Sequence, residues 1–145
     1  MEQTLFTPDI TPFMRRILIV EDEANQSLFL RSTLRKLPNC EVLTAASGEQ
    51  ALRLFNQQTF DLLITDYKLL GMDGMTLSQQ VRAAHPRLPI IMITAFGNEE
   101  LRAQAMLTSI ERILDKPADI NVIRAAALAA LNKSKLAQPT GGGNL

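Results

Sequence analysis

The sequence predicts a doubly wound α/β domain: a five-stranded parallel sheet with helices on both faces. Three observations predict it. Short continuous apolar runs, "RILIV", "DLLIT" and "IIMIT", are too apolar for strands with one wet side and suit strands covered on both faces. Stretches with apolar residues at helical spacing lie between those runs, so strand and helix alternate five times. Each return to a parallel strand needs a crossover helix, and right-handed crossovers place helices over the sheet.

Taken in order, "RILIV" is the first strand. Asn25 to Leu37 follows as a helix with Leu28, Phe29, Leu34 and Leu37 apolar, and Pro38-Asn39 ends it. "EVLTAA" is a weaker strand. Ser47-Gly48 opens the second helix, with Ala51, Leu52, Leu54 and Phe55 on its buried side. "DLLIT" runs to Asp66, and a loop with Gly71 and Gly74 leads into the helix "MTLSQQVRAA". After Pro86 and Pro89 comes "IIMIT". Asn98 caps the helix "EELRAQAML", "RIL" is a short last strand, and Asp119 caps a final helix to about Asn132. The domain therefore spans about 15–132. Residues 1–14, with two prolines and no clear period, read as a loose N-terminal arm, and 133–145 as a flexible tail or linker.

The whole chain has 145 residues, 46% hydrophobic and 21% charged, which suits one globular domain. Fifteen Lys and Arg balance fifteen Asp and Glu. A neutral chain offers no electrostatic footprint, so neither direct nucleic-acid binding nor membrane attachment is expected. Cys40 stands alone and cannot form an internal disulfide. No apolar run approaches the ~18 residues of a membrane span, and "MEQTLFTPDITPFMRR" lacks the pattern of a signal peptide. A cytoplasmic location is the expectation.

Chemistry in an open parallel sheet collects at the carboxyl ends of its strands. The first strand delivers Glu21, Asp22 and Glu23 there; the third delivers Asp66. The fourth ends in Thr94 and Ala95, and the fifth is followed by Asp115, Lys116 and Pro117. Carboxylates gathered this closely raise one another's pKa and call for a cation. Mg²⁺ suits them as a hard, oxygen-seeking ion held by one or two carboxylates plus water and phosphate oxygens. One carboxylate can then act as a nucleophile toward phosphorus, with Lys116 and Thr94 facing the phosphoryl oxygens.

The segments "ILIVEDE", "DLLITDYKLLGMDG", "IIMITAFG" and "ILDKP" stand in the order and spacing of a CheY-like response-regulator receiver domain, which this chain resembles over nearly all of 15–132. The resemblance implies the sheet order 2-1-3-4-5 and a phospho-accepting switch in two-component signalling. It makes Asp66 the phospho-acceptor and places Mg²⁺ on Glu21, Asp22, Asp66 and the backbone carbonyl of Lys68. Thr94 and Lys116 would contact the phosphoryl group, and Lys116-Pro117 would be cis. A histidine kinase or phosphotransfer protein would be the donor, and the chain would catalyse only its own phosphorylation and dephosphorylation. Three positions depart from the family pattern. Leu70 stands where proline is usual, Ile113 where an aromatic is usual, and Ser109-Ile110 where Gly-Ala is common.

Other readings compete. An aspartyl-phosphate hydrolase of the haloacid-dehalogenase type needs a second acid two residues past its nucleophile, where this chain has Lys68. A flavodoxin-like cofactor site needs hydroxyls and glycine in its first loop, and "EDEAN" would repel a phosphate. A degenerate receiver serving as a binding module is the remaining alternative. Each residue also has a plainer role open to it: Glu21 to Glu23 as a helix start, Asp66 as a turn cap, Thr94 as a strand residue, Lys116 as a surface charge. His85 reads as a helix-end residue, and Met72, Met75, Met92 and Met106 read as packing. On the last helix, Ile120, Ile123, Ala127, Ala130 and Leu131 form the stripe expected to face the sheet. Val122, Ala125, Ala126 and Ala129 form an uncharged opposite face. That face and the fifth strand are candidates for a homodimer or output-domain contact.

Overall fold

The computed structural model describes residues 14–136. Strands β1 (Arg15–Val20), β2 (Cys40–Ala45), β3 (Leu62–Asp66), β4 (Ile90–Thr94) and β5 (Arg112–Asp115) form one sheet. They lie in the order β2-β1-β3-β4-β5, every neighbouring pair parallel. The helices are α1 (Ala24–Leu34), α2 (Gly48–Gln57), α3 (Gly74–Ala84), α4 (Glu99–Leu107) and α5 (Ile120–Leu136). The fold class and the strand order are those expected.

Successive strand residues point to opposite faces, so one strand feeds two cores. From β1, Ile17 and Ile19 join Leu30 and Leu34 of α1 and Ile123, Ala127 and Leu131 of α5. Leu18 and Val20 point the other way, into a core with Ala51 of α2 and Leu77 and Val81 of α3. A smaller cluster, Met75, Met92, Leu101 and Ala105, seats α4. β3 and β4 are buried along their whole length. Fully burying each such aliphatic side chain contributes about 1.5–3 kcal/mol.

Side-chain caps fix where helices begin. Glu23, Ser47, Asp73 and Asn98 each accept a hydrogen bond from the backbone N–H three residues on, starting α1 to α4. Each such cap is worth ~1 kcal/mol. Asp119 serves the start of α5 by accepting from Asn121 N–H at 3.2 Å. At the end of α3, His85 closes the helix through its N–H to the Val81 carbonyl and lies against the Phe55 ring.

Two helices differ from expectation. α1 ends at Leu34 and buries Leu30, Thr33 and Leu34, leaving Leu28 60% and Phe29 44% exposed. The i, i+4 pair Leu30 and Leu34 sets the phase of this helix, and Leu28 and Phe29 fall off that line. α5 runs past Asn132 to Leu136. Its buried stripe is Ile123, Ala126, Ala127, Ala130 and Leu131, a regular i, i+3, i+4, i+7, i+8 pattern. Ala126 therefore belongs to the core at 2% exposure and Ile120 to the surface at 38%. Val122, Ala125, Leu128 and Ala129 form the outer face. Met106, expected to pack, is exposed. Residues 1–13 of the N-terminal arm and residues 137–145 lie outside the described residues. Among those described, no helix is long and apolar enough to cross a membrane.

Candidate active site

Parallel register brings the acids and the amine to one sheet edge. β1 and β3 run side by side with Val20 opposite Thr65, so Glu21 and Asp66 emerge as neighbours. β4 and β5 pair Thr94 with Asp115, and Lys116 N–H donates to the Thr94 carbonyl at 2.9 Å. The next peptide, Lys116-Pro117, is cis. From there the Lys116 side chain crosses back over the strand ends. Its ammonium lies 2.7 Å from Asp66 Oδ2 and 3.3 Å from Glu21 Oε1, and also meets Gln26 Oε1.

This arrangement shows how a strand can end in three carboxylates, because each faces a different partner. Glu21, only 3% exposed, accepts from Lys116 and from Glu23 N–H. Asp22 turns outward to accept from Leu70 N–H at 2.9 Å. Glu23 folds onto α1 as its cap, accepting from Gln26 N–H. Burial raises the Glu21 carboxyl above its ordinary range, against the pull of Lys116. Burial alone would lower the Lys116 ammonium, but its hydrogen bond to Asp66 and the charges of Asp66 and Glu21 outweigh that and raise it. Lys116 is thus held firmly charged between two carboxylates.

Asp66 is 9% exposed at the end of β3, with Oδ1 facing Lys68 N–H at 3.4 Å. Thr94 stands one residue beyond Ile93, the β4 partner of Asp66. It is fully buried, and its Oγ1 accepts from Phe96 N–H at 3.0 Å. The Lys68 side chain leaves the acid cluster and lies over the Phe96 ring, 4.8 Å from its centroid. Glu21, Asp66 and Lys116 therefore touch directly. Asp22, Lys68 and Thr94 stand around them, each engaged with a backbone group or a ring.

Two features escaped the sequence reading. Gln26 shares Lys116 with the acids, and only the position of α1 reveals it. Gly74 is the second. A Cβ there would sit 1.9 Å from the Asp66 carbonyl oxygen, so α3 packs directly on the acceptor's own backbone. Gly74 N–H donates to the Tyr67 carbonyl at 2.7 Å and fastens that approach.

The carboxylates offer hard oxygen donors of the kind Mg²⁺ takes. As arranged, no group of three acidic, histidine or cysteine side chains among the described residues forms a metal cage. The donor set fits a site of one or two carboxylates completed by outside oxygens.

The family model described as the response regulator receiver domain matches residues 17–128. The chain belongs to the response-regulator receiver family. It is 32% identical over 115 residues to the transcriptional regulatory protein ZraR of Escherichia coli K12, a match covering 79% of this chain and 26% of that protein. It is also 32% identical over 117 residues to the response regulator protein PilR of Pseudomonas aeruginosa, covering 81% and 26%. The chain thus spans about a quarter of the length of these relatives. A response-regulator receiver domain protein from Clostridium thermocellum superposes with a TM-score of 0.79 at 28% identity, covering 86% of this chain and 99% of that one. NtrX from Brucella abortus, in complex with ATP, superposes with a TM-score of 0.78 at 29% identity, covering 86% and 28%. Receivers of this family generally bind Mg²⁺ for phosphorylation.

Proposed function

We propose that this receiver accepts a phosphoryl group on Asp66 from a phosphohistidine of a histidine kinase or phosphotransfer protein. The observation that carries the reading is the buried triad in which Lys116 bridges Asp66 Oδ2 and Glu21 Oε1. Asp66 Oδ1, the oxygen not held by Lys116, attacks phosphorus, the P–N bond of the donor breaks, and the imidazole nitrogen leaves with the bonding electrons. Lys116 meets the charge on the phosphoryl oxygens, and the Thr94 hydroxyl donates to one of them. Glu21, Asp22, Asp66 and the Lys68 carbonyl are the groups that would hold Mg²⁺, which when bound supplies Lewis-acid charge neutralisation. Hydrolysis of the acyl phosphate returns the carboxylate and inorganic phosphate. The chain acts on itself and is a switch rather than an enzyme with a separate substrate. Neither the hydrolase nor the degenerate-module reading is favoured.

We place this function in the cytoplasm, with the receiver at 15–132 and α5 extending it. The outer face of α5, with Val122 at 41% and Leu128 at 39% exposure, supports β5 and α5 as the route to an output domain or a second copy. The test is incubation with acetyl phosphate and Mg²⁺, followed by intact mass. One alkali-labile phosphoryl group is expected on the wild-type chain and none on Asp66→Asn. Equal labelling of both sinks the assignment.

A further inference from the structure

The Lys68 side chain has no part in the proposed metal site, to which only the backbone carbonyl of that residue would contribute. Among the described residues no carboxylate pairs with its ammonium, which rests instead on the half-exposed ring of Phe96. Its own N–H faces Asp66 Oδ1, so a flexible four-carbon stem is rooted two residues from the acceptor. Lys116, by contrast, is already engaged by Asp66, Glu21 and Gln26. A phosphoryl group on Asp66 would bring roughly −1.5 to −2 charge and three acceptor oxygens to this edge. A ring quadrupole at a wet surface is a weak partner for an ammonium; a phosphoryl dianion is a strong one.

We propose that Lys68 is a second phosphate-facing cation that exchanges partners, leaving the Phe96 ring for the phosphoryl oxygens when Asp66 is modified. The proposal rests on Asp66 being the acceptor. Its consequence falls on the β4–α4 loop. In the unmodified state that loop is tied on one side by Lys68 on Phe96. On the other side Arg102 of α4 pairs with both oxygens of Asp115, at 3.2 and 3.1 Å, and Gly97 lies against the same carboxylate. Loss of the Lys68 contact frees one of the two ties, beside the Phe96 N–H that Thr94 Oγ1 holds. The covalent state of Asp66 is thereby passed to the loop through a side chain rather than through the backbone.

The experiment follows the Lys68 ε-methylene protons by NMR while intact mass records phosphorylation by acetyl phosphate and Mg²⁺. In that reaction the Asp66 oxygen bonds to phosphorus and acetate leaves with the electron pair. The Phe96 ring should shift these protons upfield in the unmodified chain, and Phe96→Leu should abolish the shift. Phosphorylation should collapse it in the wild type, while Asp66→Asn in the same mixture keeps it. Lys68→Arg should preserve the exchange, seen at the guanidinium-bound methylene, because arginine keeps both kinds of contact. A phosphorylated chain whose upfield shift persists overturns the exchange and leaves the receiver reading standing. Identical Lys68 shifts in the wild type and Phe96→Leu overturn it as well. A chain that gains no phosphoryl group overturns both.

Discussion

Gly74→Ala is a small substitution with a large expected effect. The added methyl would lie 1.9 Å from the Asp66 carbonyl oxygen, 2.9 Å from its carbonyl carbon and 3.0 Å from Tyr67 Cα. Real contacts of this kind essentially never fall below 3.0 Å, so backbone must move by about 1.1 Å, the difference between 3.0 and 1.9. Asp66 cannot supply the movement, because its strand is paired on both sides. The shift falls on residues 67–73, which carry the Lys68 carbonyl and the Leu70 N–H that holds Asp22. Overpacking of this kind costs about 1–3 kcal/mol. A displacement near 1 Å around a reacting group costs ~100-fold in rate. Urea denaturation should show the stability loss, and timed mass spectrometry with acetyl phosphate the slower labelling. A Gly74→Ala chain that unfolds within ~0.5 kcal/mol of wild type and labels at the same rate would refute the claim that α3 is seated on the acceptor.

Lys116→Met should abolish labelling and destabilise the metal-free chain by about 3 kcal/mol at neutral pH, because it strands Glu21 and Asp66; the low end of the usual range applies since Lys116 retains 20% of its side-chain exposure. A raised Glu21 pKa means that the folded state binds the proton more tightly, so the deficit should narrow as pH falls toward 4.5. In the wild type the raised Lys116 pKa contributes stability that is fully present below 10.5 and lost as pH rises through the folded value, measurable by denaturation in alkali. Mg²⁺ should raise the melting temperature by mass action, an effect that Asp22→Ala should reduce, as calorimetry can test. Ser109→Gly should stabilise the chain by about 0.5–1 kcal/mol in urea titrations, since Ser109 holds a φ of 59° that favours glycine.

Apolar continuity made the sheet legible. "IIMIT" is β4 to the residue and "EELRAQAML" is α4 to the residue, because strand composition and an asparagine cap are local signals. Helix faces were less legible where the sequence is apolar all round. In α5 only Asn121 and Arg124 are polar between Ile120 and Leu131, so sequence cannot choose between Ile120 and Ala126 for the core, and packing against β3, β4 and α1 decides. In the site, Asp66, Glu21 and Lys116 were visible because strand ends fix position. The partners of Asp22 and Lys68 were not, since a backbone N–H and an aromatic face leave no trace at a fixed spacing.

The three departures from the family pattern each find an answer in packing. Leu70, in place of proline, keeps a backbone N–H, and that donor holds Asp22. Proline would have no hydrogen to give there. Ile113, in place of an aromatic, joins Tyr67 and Ile110 against the Met75–Met92–Leu101 cluster, where an aliphatic side chain suffices to pack. Ser109 takes the left-handed turn that glycine would take more readily. Its carbonyl is held by Arg82, which also donates to the carbonyls of Thr108, His85, Pro86 and Leu88. One guanidinium on α3 thus fastens both the α4–β5 turn and the α3–β4 turn. In two of the three cases a side chain distant in sequence takes part: Asp22 accepts from the Leu70 N–H, and Arg82 holds the Ser109 carbonyl. The loops beside the acid cluster are thus braced by side chains far along the chain, Asp22 on the β3–α3 loop and Arg82 on the α4–β5 turn.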